Sequence, residues 1–254
     1  MATLATCRDK RLVKEATLAA ALQNGNKGAK VKIAQELLCF HNRKVSTDGE
    51  FGDATEAAVR AFQSASSLPA NGRVNQATMD ALMQPLLRAV EPDASPASSL
   101  ASQIVKLAKR HLKEHGIEIG GANAGPWVRL YMDGNQGPEW AWCAGFVSYI
   151  VAQACLDLNM KVPVKKTFSC DLLATDGQKR GIFVPAKAGT APAPGWIFLL
   201  NRTVGDWTHT GLVISAGPSS FTTIEGNTND EGSREGFEVC SLTRAYGKYD
   251  FIRI

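Results

Sequence analysis

One cysteine stands where sequence chemistry makes it reactive. Cys143 lies in Trp140-Ala141-Trp142-Cys143-Ala144-Gly145-Phe146-Val147, behind a loop rich in glycine and proline and ahead of an apolar run that reads as a helix. A cysteine at the start of a helix meets unpaired backbone N–H groups and the positive end of the helix dipole, which favour thiolate over thiol. The commoner fate of cysteine is burial as a small hydrophobe, but Cys155, Cys170 and Cys240 lack the setting of Cys143. A thiolate nucleophile then needs a base. His209 precedes the β-branched run Leu212-Val213-Ile214, which reads as a strand, and residues 221–228 read as another. On the second strand the two-residue period puts Glu225 and Asn227 on one face. A polar group on a neighbouring strand is what orients a catalytic imidazole, so Cys143, His209, Glu225 and Asn227 are the candidate catalytic residues.

Two other patterns raise metal chemistry. His111-Leu112-Lys113-Glu114-His115 spells H-x-x-E-H, a zinc signature whose two histidines share a helix face. The lysine inside it and its place at a helix end before Gly116 favour solvated histidines near the negative pole of the dipole instead. Asp133 and Asn135 could contribute to a calcium site, yet acidic ligands do not continue at alternate positions. The glycines at 116, 120, 121 and 125 lack the lysine and hydroxyl of a phosphate loop and read as a surface loop beside a site. No metal and no cofactor is expected, with Ca2+ the one ion left open.

These residues need elements to hold them. At roughly 150 residues per domain, the 254 residues allow one large domain or two modest ones. A hydrophobic share of 44% and a charged share of 20% exclude disorder, collagen and coiled coil. Lys and Arg number 28 against 24 Asp and Glu, a net +4 that suits an anionic polymer but not nucleic acid. No 18-residue apolar run occurs, so no membrane insertion is expected. The opening residues turn charged before an apolar core could form, so the chain reads as made in the cytoplasm without a signal peptide. Leu4-Ala5-Thr6-Cys7 resembles a lipoprotein cleavage box, but only three residues precede it. The six cysteines are scattered without C-x-x-C pairs and read as free thiols.

Residues 88–99, with Glu91-Pro92-Asp93 and an Ala/Ser/Pro run, have the composition of a flexible, extended linker. Before it, after an extension over 1–26, helical spacing appears at 29–40, 54–63 and 78–86, with Asp53 placed to cap the second helix. These form a small bundle over 27–87. After the linker come a helix over 100–115, the glycine-rich loop, a second helix and then strands, a different fold over 100–254.

The upstream residues Gln35, Leu37-Leu38, Asp48-Gly49, Phe51-Gly52, Thr55, Ala58-Val59, Phe62-Gln63, Leu68, Asn71-Gly72, Val74, Thr78 and Leu82 carry a resemblance. Over about 27–85 the chain resembles the three-helix peptidoglycan-binding domain of bacterial and phage cell-wall hydrolases. Downstream, WCA-x-F-V, H-T-G-L-V and E-G-N-T make residues 100–254 similar to the CHAP family of cysteine/histidine-dependent amidohydrolases and peptidases. Gly195-Trp196 departs from the Gly-Asp frequent there. The resemblance implies an α+β protein, a small three-helix bundle plus a papain-like domain with helices packed on an antiparallel sheet. It implies Cys143 as nucleophile, His209 as general base and acid, Glu225 as the group orienting His209, and Asn227 as a fourth polar member. The expected function is that of an endolysin-like peptidoglycan hydrolase, a monomer acting as N-acetylmuramoyl-L-alanine amidase or endopeptidase on stem peptide. It would reach the wall through holin-type release or, as a toxin, by dedicated secretion. The rivals are a catalytically inactive wall-binding protein and a zinc peptidase using His111 and His115.

Overall fold

Spacing of apolar side chains predicts most of the helices, and backbone chemistry sets where they end. The structure is a computed structural model describing residues 3–186, 191–203, 205–229 and 236–254. It divides into two units, Met1–Pro92 with Ile117–Gly137, and Asp93–Gly116 with Pro138–Ile254. The first holds α1 (Lys10–Ala16), α2 (Ala29–Phe40), α3 (Asp53–Ala65), α4 (Gln76–Leu82), α5 (Gln84–Val90) and α7 (Pro126–Tyr131). The second holds α6 (Leu100–Lys113), α8 (Cys143–Asp157) and α9 (Cys170–Lys179). Its strands are β1 (Phe183–Val184), β2 (Ile197–Thr203), β3 (Asp206–Ala216), β4 (Ser220–Thr228), β5 (Glu238–Ala245) and β6 (Tyr249–Ile252). This is a mixed helix and antiparallel-sheet architecture, in the α+β class. Among the described residues no helix is long and apolar enough to cross a membrane.

In the first unit two buried glutamines explain the spacing of the polar motif. Gln35 on α2 donates through Nε2 to Asp48 Oδ1, the Glu50 carbonyl and Thr55 Oγ1 at 3.0, 3.0 and 3.1 Å. Its Oε1 accepts the Gly49 N–H at 2.8 Å. Gln63 on α3 repeats the pattern one helix later, donating to Asn71 Oδ1, the Arg73 carbonyl and Thr78 Oγ1 and accepting from Gly72 N at 2.9 Å. Each amide thus closes one turn onto the helix that follows, and Gly49 and Gly72 take the positive φ the turn requires.

Two local expectations are corrected. Asp53 does not cap α3; Gly52 holds the cap position and Asp53 Oδ1 accepts from Asn24 Nδ2 at 2.6 Å. The helix expected over 78–86 is two helices meeting at Met83, because Pro85 cannot donate and its ring opposes the carbonyl four residues back. The cap there is Asn75, whose side chain accepts from Thr78 N at 2.9 Å.

Residues 117–137 belong by their contacts to the first unit, although their sequence reads with the C-terminal part. Arg129 on α7 pairs with Glu15 at 3.0 Å and with buried Glu36 on α2 at 2.8 Å. Trp127 sets its ring 5.9 Å from Phe40. The second half of the expected linker is also tied down: Asp93 accepts from Lys106 at 2.6 Å and from Gln103 at 3.0 Å.

The second unit is built on a sheet of order β1-β6-β2-β3-β4-β5 with antiparallel pairs throughout. Phe198, Val213, Phe221 and Phe251 form a core cluster, against which Trp196 packs. Helix α8 packs on α6, β3 and β4. Its Phe146, Val147, Ile150, Val151 and Ala154 are all fully buried, which is why its pattern is apolar on every side. The fit between α8 and β4 is close enough to need glycine: a Cβ on Gly226 would lie 2.6 Å from the Trp142 ring and 2.8 Å from Phe146 Cβ.

Candidate active site

Cys143 is the first residue of α8. Burial of Trp142 anchors the chain just before it, and Phe146 N donates to the Trp142 carbonyl at 2.9 Å to close the first turn. Trp142 N in turn donates to Asn227 Oδ1 at 2.7 Å. Asn227 adopts φ 57 where the β4–β5 register shifts between Glu225 and Thr228, and its Nδ2 donates to the Gly236 carbonyl at 2.7 Å. Asn227 therefore holds the backbone that presents Cys143, and does not touch the imidazole through these bonds.

His209 lies within β3, and Glu225 on the adjacent β4. His209 Nε2 donates to Glu225 Oε2 at 2.7 Å. The other ring nitrogen, Nδ1, is buried with no hydrogen-bond partner among the described residues, leaving it for the cysteine side. Glu225 is fully buried and takes more than the histidine. Arg244 of β5 forks onto it, Nε to Oε1 and Nη2 to Oε2, both at 2.5 Å, and Thr223 Oγ1 donates to Oε1. The Arg244 guanidinium lies over the Phe198 ring at 5.2 Å and the Tyr249 ring at 5.8 Å.

The charges follow from these contacts. Hydrogen bonding from the Cys170 thiol, the nearby His209 imidazolium and the Thr210 backbone N–H hold the Cys143 thiol well below its ordinary value, against the opposing effect of burial. Burial opposes the charge on His209 too, yet Cys143 and Glu225 raise it to about 9. Burial works against ionised Glu225, but Arg244 and His209 keep it below the usual carboxylate range. These contacts favour a thiolate–imidazolium pair, with the imidazolium backed by a carboxylate that arginine helps keep ionised. Cys143 is 5% exposed and His209 1%, so water screens this pair weakly. Such an array can attack a carbonyl carbon through sulfur and deliver a proton to the leaving group.

The structure thus brings Cys143, His209 and Glu225 into one cluster, with Asn227 behind the helix start. Three members escape sequence reading. Arg244 reaches Glu225 from β5, and nothing in Glu238–Ala245 marks it. The Thr210 N–H is backbone and has no residue signature. Cys170 did carry a signal: it opens α9 behind Ser169, whose Oγ accepts from Leu172 N at 3.3 Å. This corrects the expectation that Cys170 lacks a helix-start setting, and its sulfur lies 3.8 Å from that of Cys143.

The histidine pair is arranged otherwise than expected. His111 is not solvated; it is fully buried, with Nε2 3.0 Å from Gln153 Oε1 and its ring edge-on to Tyr149. His115 is exposed and lies 3.4 Å from Glu238. Asp133 pairs with Arg11 at 2.6 Å, and Asn135 donates to the Met132 carbonyl at 2.8 Å. Among the described residues no group of three His, Cys, Asp or Glu side chains gathers as a metal site.

Residues 27–82 match the family model described as "Putative peptidoglycan binding domain". The match covers the two glutamine-closed turns of the first unit and associates the chain with the cell wall. No curated protein matches the chain.

Proposed function

We propose that the chain is a peptidoglycan hydrolase in which residues 27–82 engage the wall and the second unit cuts an amide bond of the stem peptide. The observation that carries this reading is the Cys143–His209–Glu225 cluster on a chain that also carries a peptidoglycan-binding match. In the reaction the Cys143 thiolate attacks the amide carbonyl, and the oxyanion is held by N–H groups of the first turn of α8, which have no earlier helical carbonyl to bond. His209 protonates the leaving amine, and the C–N bond breaks to give a thioester. His209 then takes a proton from water, hydroxide displaces the thiolate, and the acid product leaves. Glu225 keeps the imidazole oriented through the cycle and stabilises its charged form whenever it carries the second proton. The binding module raises the local concentration of scissile bonds on an insoluble polymer.

A papain-like, CHAP-type unit is the fold reading that accords with a helix-borne cysteine facing a histidine on an antiparallel sheet. Clearing of purified cell walls by the full chain, abolished in Cys143→Ala, is the expected result. Clearing that survives Cys143→Ala overturns the mechanism, and no clearing by the wild-type chain favours a wall-binding protein without activity. Mass spectrometry of the released muropeptides distinguishes amidase from endopeptidase cleavage.

A further inference from the structure

We propose that Cys170 is a further catalytic residue, whose S–H donates the hydrogen bond that keeps the Cys143 sulfur in its anionic, nucleophilic form. The inference rests on the Cys/His reading of the site above. Its basis is geometric: the two sulfurs are 3.8 Å apart, each at the first position of its own helix, and both are buried, Cys143 at 5% exposure and Cys170 at 8%. Two thiolates side by side away from water repel strongly, so the pair keeps at least one proton at neutral pH.

Which sulfur keeps the proton is decided by the surroundings of each. Cys143 faces the His209 imidazolium and the Thr210 N–H, both from β3, and these favour an anion. Cys170 has the Asp171 carboxylate next to it on α9 and the Cys143 sulfur opposite, and both favour the neutral thiol. Asp171 is fixed in that position, since its Oδ1 accepts the Trp207 N–H from β3 at 2.8 Å. Glu225 and Arg244 act on His209 from its far side, through Nε2. The negative charge therefore sits on Cys143 and the proton on Cys170, which makes Cys170 the donor. When Cys143 forms its bond to the substrate carbon it loses its charge, and Cys170 keeps its proton throughout, so no proton is transferred between the sulfurs. Cys170 shares the buried face of α9 with Leu173, Ala174 and Gly177, so a serine of nearly the same size separates the hydrogen bond from packing.

The test is the pH dependence of iodoacetamide alkylation at Cys143, followed by peptide mass spectrometry on the full-length wild type, Cys170→Ala and Cys170→Ser. In Cys170→Ala the midpoint moves to higher pH, and the rate at pH 6 falls by about tenfold or more, the size expected for loss of a hydrogen bond to a charged group. Cys170→Ser, which still offers an O–H, regains most of the loss. A wild-type midpoint in Cys170→Ala overturns the proposal. So does a Cys170→Ser variant that behaves like the alanine, since that outcome assigns the effect to packing. Alkylation needs no wall substrate, so the proposal stands if walls are not cleaved, whereas a wild-type Cys143 that titrates like an ordinary thiol removes the Cys/His reading itself.

Discussion

Replacing Arg244 by methionine tests whether the far end of the site governs its reactive end. Glu225 is fully buried and accepts from His209, twice from Arg244, and from Thr223. Without the guanidinium, the carboxylate keeps one charged partner and one hydroxyl in a place that water does not reach. Removing one partner of a buried pair costs about 3–5 kcal/mol, because the other charge is left uncompensated. For a unit of this size each kcal/mol moves the thermal midpoint by about 2–4 °C, so the transition of the second unit drops by roughly 6–20 °C. The reactive end responds as well. Glu225 becomes easier to protonate, His209 loses part of what raises it to about 9, and the alkaline limit of activity moves down. Arg244→Lys keeps the charge but not the two-pronged geometry, so its effects have the same sign and smaller size. Near-UV circular dichroism melts at pH 7 and the pH profile of wall clearing provide the two readouts. A methionine variant that melts within about 1 kcal/mol of wild type and keeps its alkaline limit refutes the argument that the pair is buried and coupled to the histidine.

The pH profile of the wild type should be bell-shaped. Activity rises from acid pH as Cys143 loses its proton and falls near pH 9 as His209 loses its own, because the pair works only between those two events. Asn227→Ala leaves the buried Trp142 N–H unmet and should destabilise by about 1–3 kcal/mol. Its clearing rate should fall further than that of a surface control, and a wild-type rate would show that Cys143 is positioned without Asn227. Gln63→Leu leaves the Gly72 N–H and the Arg73 carbonyl without their partner, so binding to purified walls and the stability of the first unit should fall together. Retained stability in calorimetry would count against the glutamine as the closure of that turn.

Much of the site was legible because its signals are local. A cysteine ahead of an apolar helix, a histidine beside β-branched residues and a Glu-x-Asn pair each follow from a few residues and a known period, and the structure brings their side chains into one region. The Gln, Asp/Asn-Gly and Thr residues were readable as the pattern that carries the resemblance, and not as local contacts, since Thr55 lies 20 residues beyond Gln35 and Thr78 15 beyond Gln63. The extent of α2 needed nothing beyond its apolar spacing. What sequence could not decide depends on which strands and helices become neighbours. Arg244 and Glu225 are 19 residues apart on paired strands, and the register that joins them is set by the whole sheet. The burial of His111 depends on α8 packing over α6, where a helix-end pattern alone reads as solvated. The two sulfurs illustrate the division most directly. Local sequence put Cys143 at a helix start and missed that Ser169 caps one at Cys170, and only the packing of α9 and α8 against the same strand, β3, places the two sulfurs 3.8 Å apart.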